Sequence, residues 1–316
     1  MSLEFSLINK YFNLYKTKAY KGIGDDAALI KKDNNHLWAI STDMLNEKTH
    51  FLPNTNPFNL GWKALAVNIS DIYAMGGIPK FALLAIALPK VKADWMEEFS
   101  NGLFSCAKKY RVELIGGDTT KGSLSISICI LGEVFKKNVL LRSNAKKEDD
   151  IWVTGELGLA ALGLAKLRNK VQLPQSLSKK AIGALEKPML HSSIIQNMAK
   201  LSHSAIDISD GLIADLNHIL EASKVGADIS LKDIPMNSWI KRNKLFDIGL
   251  SGGDDYQLLF TAPKKNRNKI NLISKIPSIK LTRIGNIKKT KCLDIIDHKG
   301  MLYKIRKRGY DHFETK

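Results

Sequence analysis

The chain has 316 residues, of which 44% are hydrophobic and 25% are charged, as in a globular protein with one large domain or two ordinary ones. This composition argues against a disordered chain, a collagen and a coiled coil, and no apolar run reaches the roughly 18 residues of a membrane-spanning helix. The net charge is +17, but residues 264–308 alone hold 15 Lys and Arg against 2 acids. Only 8 of the 48 basic residues are arginine, which nucleic-acid contacts favour, so the excess charge indicates a solvated surface.

The three cysteines, Cys106, Cys129 and Cys292, are far apart and match no zinc or redox spacing. A sparse, odd number of cysteines is typical of a reducing compartment, and the first twenty residues lack the pattern of a signal peptide. We therefore expect a cytoplasmic protein whose cysteines are structural.

Hydrophobic periodicity and the positions of Gly and Pro predict a first half that mixes helices and strands. In chain order the predicted elements are a helix at 2–16, a glycine-containing loop at 22–26, strands at 27–30 and 37–42, a helix at 57–75, a strand at 81–88, a helix at 93–110, a strand at 112–115, a loop at 116–118 and a strand at 124–134. The polar stretch 142–150 has no periodicity and is a predicted linker. We therefore divide the chain into domains at 1–142 and 143–316.

The second half repeats this mixture, although no exact internal repeat is visible. Its predicted elements are a strand at 151–155, helices at 158–169, 178–187 and 191–202, a strand at 205–208, a turn at 209–211, a helix that ends near residue 223, a turn at 252–255 and a strand at 256–261. The basic segment 264–308 alternates short helices and strands. The pattern predicts an α/β protein in the broad sense, with two α+β halves.

Carboxylates are the minority charge, yet they gather at predicted turns beside apolar strands, in stretches rich in Gly, Ser and Thr. They are Asp25, Asp26, Asp43, Asp71, Asp118, Asp207, Asp210, Asp254 and Asp255. Hydrated Mg²⁺ prefers such oxygen ligands, and neighbouring glycines let the backbone approach a phosphate. The alternative is ordinary turn or cap chemistry, because Asp bonds its own backbone there. The P-loop, Gly-x-Gly-x-x-Gly and Gly-x-Ser-x-Gly motifs are absent, so an ATP site would be of another kind.

Asp71 is the most informative of these acids. It lies three residues after Asn68 on a helical pattern, so both side chains share one face among mostly apolar neighbours. A carboxylate there is costly unless it is paired or bound to a metal. A helix cap or a salt bridge to Lys63 is the alternative explanation.

A series of motifs from about residue 22 to residue 313 resembles the thiamine-monophosphate kinases. The matching segments are 22–28 (GIGDDAA), 41–45 (STDML), 49–51 (THF), 63–71 (KALAVNISD), 116–120 (GGDTT), 207–212 (DISDGL), 252–256 (GGDDY) and 309–313 (GYDHF). A single Gly-Gly-Asp is a weak signal, whereas the whole series in this order with matching gaps is specific. The family belongs to an ATP-binding superfamily that also contains aminoimidazole ribonucleotide synthetase and selenophosphate synthetase.

The resemblance implies an aminoimidazole ribonucleotide synthetase-like fold of two α/β domains. The N-terminal sheet domain would form a homodimer, with active sites along the cleft between the domains and the partner. The implied reaction, the last step of thiamine diphosphate biosynthesis, moves the γ-phosphate of ATP directly and in line onto thiamine monophosphate. Several Mg²⁺ ions would assist, without a phospho-enzyme. We expect thiamine monophosphate, ATP and a second copy as partners, and neither a membrane nor a nucleic acid.

The resemblance also assigns site residues, none of them a covalent nucleophile. The implied Mg²⁺ ligands are Asp26, Ser41, Thr42, Asp43, Asp71, Asp118, Asp207 and Asp210. ATP would contact Tyr110, Gly117, Asp118, Arg142 and Ser209, and thiamine monophosphate would contact His50, Asp254 and Tyr310. Tyr110 has an alternative role as a core aromatic at a helix end, and a lone histidine such as His50 is often structural. Asp254 stands where the family usually has the longer Glu.

Two other functions stay open at this point. One is a different ATP-dependent reaction of the superfamily, although segments 49–51 and 309–313 favour the kinase. The N-terminus also lacks the catalytic Cys or Lys of selenophosphate synthesis. The other is a protein without catalysis that binds polyanions through segment 264–308. That segment holds a single aromatic residue, Tyr303, which is poor for stacking on single-stranded nucleic acid.

Overall fold

The computed structural model describes residues 3–13, 17–274, 279–306 and 309–310. The first half is built on a five-stranded sheet with strand order β1-β2-β5-β3-β4. The strands are β1 (Ala28–Lys31), β2 (His36–Asn46), β3 (Ile78–Leu88), β4 (Glu113–Lys121) and β5 (Ser125–Phe135). Neighbours are antiparallel except for the parallel pair β3–β4. Helices α2 (Pro57–Ala74) and α3 (Ala93–Tyr110) belong to this half, and the N-terminal α1 (Leu3–Leu7) continues as a π-helical turn, Ile8–Phe12.

Helix α2 is the central element of the molecule. Pro57 occupies its first turn, and the Asn56 side chain caps it by accepting from the backbone N of Asn59 at 3.0 Å. It ends before Gly76, whose φ of 75° is left-handed. From Leu60 to Ala74 every residue is buried except Asp71. Such a helix must be surrounded by protein on nearly all sides.

The second half is built on a six-stranded sheet with strand order β11-β8-β10-β6-β9-β7. Only β11 and β8 are parallel neighbours. The strands are β6 (Asp150–Thr154), β7 (Ser204–Ile208), β8 (Gly226–Ser230), β9 (Gln257–Ala262), β10 (Leu281–Lys288) and β11 (Leu293–Ile296). The helices are α4 (Leu159–Leu167), α5 (Gln175–Glu186), α6 (Ile195–Leu201), α7 (Leu212–Ser223), α8 (Ser238–Arg242), α9 (Phe246–Ser251) and α10 (Arg267–Ile273).

Strands β6, β7 and β9 bury both faces of the second sheet. Trp152, Ala205 and Phe260 point to the face that shares a core with α2 and the first half. Ile151 and Ile206 point to the opposite face, where they share a second core with α7. Because side chains alternate along a strand, the near-continuous apolar runs of these strands serve two cores. The two halves are therefore joined by a common hydrophobic core with α2 between them.

The outer face of the first sheet has no helix against it in the part of the chain that the structure describes. Met44, Leu83 and Ile115 are 54%, 38% and 56% exposed there. Strand β4 lies at the edge and pairs only with β3. An apolar sheet face with an open edge is a typical site of protein association.

Most predicted elements are confirmed within a few residues, and two predictions are wrong. Residues 116–118 do not form a loop, because β4 continues through them in register with β3. A Cβ on Gly117 would lie 1.8 Å from the carbonyl oxygen of Leu84, so the close approach of β3 explains this glycine. Asp43 likewise lies inside β2 rather than in a turn.

Two further predictions concern the whole chain. The stretch 142–150 contains a 3₁₀ turn at Arg142–Asn144 followed by the start of β6. The domain boundary at 142 and 143 stays a prediction. Within the described residues, no helix is long and apolar enough to cross a membrane.

Candidate active site at the two ends of a buried helix

Three carboxylates from distant parts of the chain meet at the C-terminal end of α2. Asp26 precedes β1, Asp71 lies in the last turns of α2, and Asp207 lies in β7. One oxygen from each lies within 4.8 Å of the others. Asp26 and Asp207 are buried, whereas Asp71 is the partly exposed residue of α2. These three residues, which we call the acid cluster, therefore combine low solvent access with one open side.

The acid cluster holds more negative charge than its surroundings balance. Desolvation raises the pKa of Asp207 to about 8, with a further contribution from the Asp26 charge. Desolvation and the neighbouring Asp26 raise the pKa of Asp43 to about 6. The pKa of Asp71 is raised well above its usual range, by desolvation and then by the charges of Asp43 and Asp207. Like charges at such distances either bind protons or bind cations.

Neutral donors hold the acids in place. The hydroxyl of Ser41 donates to Asp71 Oδ2 at 2.6 Å, and the hydroxyl of Ser70 donates to Asp207 Oδ2 at 2.7 Å. The backbone N of Asp43 donates to the side-chain oxygen of Asn68 at 3.0 Å. Helix α2 thus fixes acids on β2 and β7 as well as its own Asp71.

Arg142 places its guanidinium against the acid cluster. Its Nη2 lies 2.7 Å from Asp26 Oδ1, and its backbone N donates to Asp25 Oδ1 at 2.7 Å. The nearby carboxylates raise its pKa although burial opposes this, so it stays charged. A guanidinium at this position suits the binding of a phosphate.

The loop after β7 carries Ser209 and Asp210 and is held by a residue that the sequence analysis missed. Asp215, in the first turn of α7, accepts from the backbone N of Asp210 at 3.2 Å and of Gly211 at 3.1 Å through its Oδ2. An acid in the first turn of a helix after a Gly was the available signal. Asp210 also lies close to Asp215 and His218.

The predicted acceptor residues lie at the other end of α2, beside a cleft that opens to solvent. His50 and Asp254 both line this cleft, as do Lys63 and Arg168. The Lys63 ammonium lies 2.7 Å from Asp254 Oδ1. The suggested Lys63–Asp71 salt bridge is therefore wrong, because Lys63 pairs with a residue of the second half instead.

Tyr310 lies beside the loop after β7, within electrostatic reach of Asp254. Its backbone N donates to the carbonyl of Asp210 at 3.1 Å, and its side chain is 41% exposed. Burial and the charges of Asp210 and Asp254 raise its pKa. The remaining residues of its motif, 311–313, lie outside the described residues.

Several residues predicted to bind Mg²⁺ or ATP point away from the acid cluster. Tyr110 is buried, and its hydroxyl accepts from the backbone N of Leu190 at 2.9 Å, as a core aromatic would. The Thr42 hydroxyl donates to the carbonyl of Ile128 at 3.1 Å. Because side chains alternate along β2, Thr42 points to the outer face of the sheet while Ser41 and Asp43 point inward.

Gly117 and Asp118 lie on the edge strand β4. The pairing Asp43↔Ile128, Ile128↔Leu84 and Leu84↔Gly117 places β4 three strands away from Asp43. At ~4.8 Å per strand, this is a separation of about 14 Å within one chain. Asp118 pairs with the exposed Ala85 and shares the outer face with Thr42.

Comparison with known proteins follows the two halves of the chain. Residues 24–134 match the family model of the AIR synthase related protein N-terminal domain, and residues 146–298 match its C-terminal domain. A thiamine-monophosphate kinase of Buchnera aphidicola subsp. Schizaphis graminum is 44% identical, over 98% of each chain. The chain belongs to the thiamine-monophosphate kinase family. The enzyme of Escherichia coli K12 is 41% identical, over 99% of this chain and 98% of its own.

Solved structures of this family share the fold. A structure described as AaThiL complexed with AMPPCP and TMP has a TM-score of 0.84 and 30% identity, over 98% of this chain and 96% of its own. The thiamine-monophosphate kinase of Stenotrophomonas maltophilia K279a has a TM-score of 0.79 and 36% identity, over 96% and 99%. Hydrogenase maturation protein HypE in complex with ATP has a TM-score of 0.70 at 17% identity, a likeness of fold alone.

Proposed function

We infer that this protein is a thiamine-monophosphate kinase that transfers the γ-phosphate of ATP to thiamine monophosphate, giving thiamine diphosphate and ADP. One observation carries the inference beyond family membership. A single buried helix lies between the carboxylates that we propose for Mg²⁺ at one end and the residues that we propose for the acceptor at the other. Lys63 and Asp71 are eight residues apart, or about 12 Å along the helix. This span is of the size needed to place the acceptor in the cleft and its phosphate near the acid cluster.

We propose Mg²⁺ as the cation of the acid cluster. The donors fit, since carboxylate and hydroxyl oxygens are the ligands that Mg²⁺ prefers, and burial together with neighbouring carboxylates raises the pKa values of Asp71 and Asp207. Asp26, Asp43, Asp71 and Asp207 would hold it, with Ser41 and Asp210 beside them. Bound Mg²⁺ would supply positive charge against the repulsion between two anionic substrates.

The protein's own residues would position the substrates. Arg142 would bind phosphate oxygens of ATP beside Asp26, and the loop that carries Ser209 would contact the nucleotide. His50, Asp254 and Tyr310 would orient thiamine monophosphate. The attacking oxygen belongs to a phosphate that is ionised at neutral pH, so the chemistry requires no strong general base. We therefore propose direct, in-line transfer without a phospho-enzyme, driven by positioning and charge.

We also propose that the protein acts as a homodimer through the outer face of the first sheet. The exposed Met44, Leu83 and Ile115 support this, and so does the open edge of β4. Thr42 and Asp118 point to the same face, so a second copy there would bring them to a shared site. The cytoplasmic location remains a prediction from the cysteine count.

The dimer proposal is tested by mass in solution. Leu83→Asp places a charge on the apolar face, so we expect a monomer by size-exclusion chromatography with light scattering. Val91→Asp is the matched control, because Val91 is 78% exposed in a loop outside the sheet. A wild-type monomer at assay concentration would contradict the proposal.

The kinase function is tested by product analysis. Purified protein is incubated with ATP, Mg²⁺ and thiamine monophosphate, and the products are separated by ion-exchange chromatography. We expect thiamine diphosphate and ADP in equal amounts, and neither when chelator replaces Mg²⁺. Folded protein that forms no thiamine diphosphate would refute the proposal and favour another reaction of the superfamily.

A further inference from the structure

Lys63 is a buried cation on an otherwise apolar helix. Its side chain is 3% exposed. An ammonium in such a place is costly unless its donors are used. It donates to Asp254 Oδ1 at 2.7 Å and to the carbonyl oxygen of His50 at 3.4 Å. Lys63 thus contacts both cleft residues that the family motifs assign to the acceptor, one from each half of the chain.

The loop that carries Asp254 is held in an unusual conformation. Asp254 and Tyr256 have φ values of 69° and 47°, in the left-handed region that residues other than Gly rarely adopt. The backbone N of Asp254 donates to the carbonyl of Ser209, and that of Tyr256 donates to the carbonyl of Ile208, both at 2.8 Å. These bonds attach the Asp254 loop to the end of the strand that carries Asp207.

Both side-chain contacts of Asp254 reach the same oxygen. Lys63 binds Oδ1, and the Tyr256 hydroxyl donates to Oδ1 at 3.3 Å. In the part of the chain that the structure describes, Oδ2 has no hydrogen-bond or ion-pair partner. The Asp254 side chain is 30% exposed and lines the cleft. Oδ2 is therefore the oxygen available to a ligand.

We propose that Lys63 is a positioning residue for acceptor specificity. With Tyr256, it holds one oxygen of Asp254 so that the other faces the cationic ring of the acceptor. This inference rests on the proposed kinase function, since the thiazolium ring supplies the positive charge. A carboxylate aimed at that charge favours a cationic acceptor over a neutral one of the same shape.

The test uses Lys63→Met, Lys63→Arg and Tyr256→Phe in the full chain. Steady-state kinetics are measured with thiamine monophosphate and with its deaza analogue, whose neutral thiophene ring replaces the thiazolium. We expect Lys63→Met to raise KM for thiamine monophosphate by about tenfold or more, with KM for ATP changed less than about twofold. In Lys63→Met the preference for thiamine monophosphate over the deaza analogue should fall. Lys63→Arg keeps the positive charge and should retain part of this preference.

Lys288→Met is the matched control. Lys288 also forms ion pairs, with Asp228 and Asp294, but these lie in the second sheet away from the cleft. The Lys288→Met variant should keep the wild-type preference for thiamine monophosphate over the deaza analogue. If Lys63→Met does not fold, Tyr256→Phe removes only a hydroxyl and should lower the preference by a smaller factor.

Three outcomes would overturn the proposal. The first is an unchanged KM for thiamine monophosphate in Lys63→Met. The second is an equal rise in the KM values for thiamine monophosphate and for ATP in Lys63→Met, which would indicate a merely structural role. The third is an unchanged preference for the cationic acceptor in folded Lys63→Met, or in Tyr256→Phe where Lys63→Met is unfolded. An inactive wild type would instead refute the kinase function itself, so the two failures are distinguishable.

Discussion

The two ends of α2 differ in how they balance a carboxylate. At the Asp71 end, three acids meet around one partly exposed residue, and neutral hydroxyls hold Asp71 and Asp207. At the Lys63 end, one ammonium faces one carboxylate at 2.7 Å. Arg142 pairs with Asp26 at the first end, but the acids there outnumber it, so that end is suited to added cations. The second is already neutral and is suited to recognising a ligand.

Removing one charge from the Asp71 end should have the largest effect. Asp71→Asn keeps the size and the hydrogen bond from Ser41 but weakens the proposed Mg²⁺ site. We expect turnover to fall by about three orders of magnitude or more, while the circular dichroism spectrum stays the same. Asp33→Asn, an exposed acid on the surface, is the control. Near-normal turnover of Asp71→Asn would remove Asp71 from the site.

Weakening the support of one acid should have an intermediate effect. Ser70→Ala removes the 2.7 Å hydrogen bond to Asp207 without removing the carboxylate. Loss of such a supporting bond costs about 10–100-fold in metal affinity or activity. We expect the Mg²⁺ concentration for half-maximal activity to rise within that range, with KM for thiamine monophosphate nearly constant. A rise confined to the KM for thiamine monophosphate would contradict the separate roles that we assign to the two ends of α2.

The pH dependence of protein stability should distinguish the Asp71 end of α2 from the Lys63 end without a mutation. Asp43 and Asp207 have pKa values of about 6 and about 8, against 3.8 for an ordinary Asp. As pH rises from about 4 to about 8, the unfolded chain loses these protons first, so the free energy of unfolding falls. Bound Mg²⁺ would offset both the desolvation and the repulsion that cause this loss.

We therefore expect chelator-treated protein to melt at a lower temperature near pH 8 than near pH 5. Mg²⁺ should raise the melting temperature more at the higher pH. Differential scanning fluorimetry with EDTA or Mg²⁺ measures both effects, and Ca²⁺ serves as a comparison cation. An equal rise in melting temperature with Mg²⁺ at both pH values would argue that these acids bind no metal.

A conservative change at the Lys63 end should have the smallest effect. Asp254→Glu keeps the charge and restores the residue that the family usually has. Asp tolerates the left-handed backbone at φ 69° better than Glu, which offsets part of the gain in reach. We expect KM for thiamine monophosphate to change by less than about threefold, whereas Asp254→Asn should raise it by about tenfold. A large loss in Asp254→Glu would mean that the cleft is shaped for the shorter acid.

Local signals explain why α2 could be predicted from the sequence. Pro57 marks its first turn, and Gly76 follows its end, so the predicted range of 57–75 matches the observed Pro57–Ala74. Helix α3 was likewise predicted with its observed bounds. The acids on and around α2 were found because their motifs are specific, although their contacts could not be derived from spacing.

Long-range pairing explains what the sequence did not predict. The segment 116–118 has turn composition, yet Gly117 is needed inside a strand because the backbone of β3 approaches it closely. The opposite orientations of Thr42 and Asp43 depend on which face of the sheet α2 covers. Lys63 and Asp254 are 191 residues apart, so no local pattern could indicate their ion pair.

The most direct measurement follows the phosphate itself. Protein is incubated with Mg²⁺, thiamine monophosphate and ATP labelled with ³²P at the γ-position, and the label is traced in single-turnover samples. We expect the label to pass to thiamine diphosphate in step with ADP formation, with none retained on acid-quenched protein. Label found only in inorganic phosphate, or held on the protein before transfer, would contradict it.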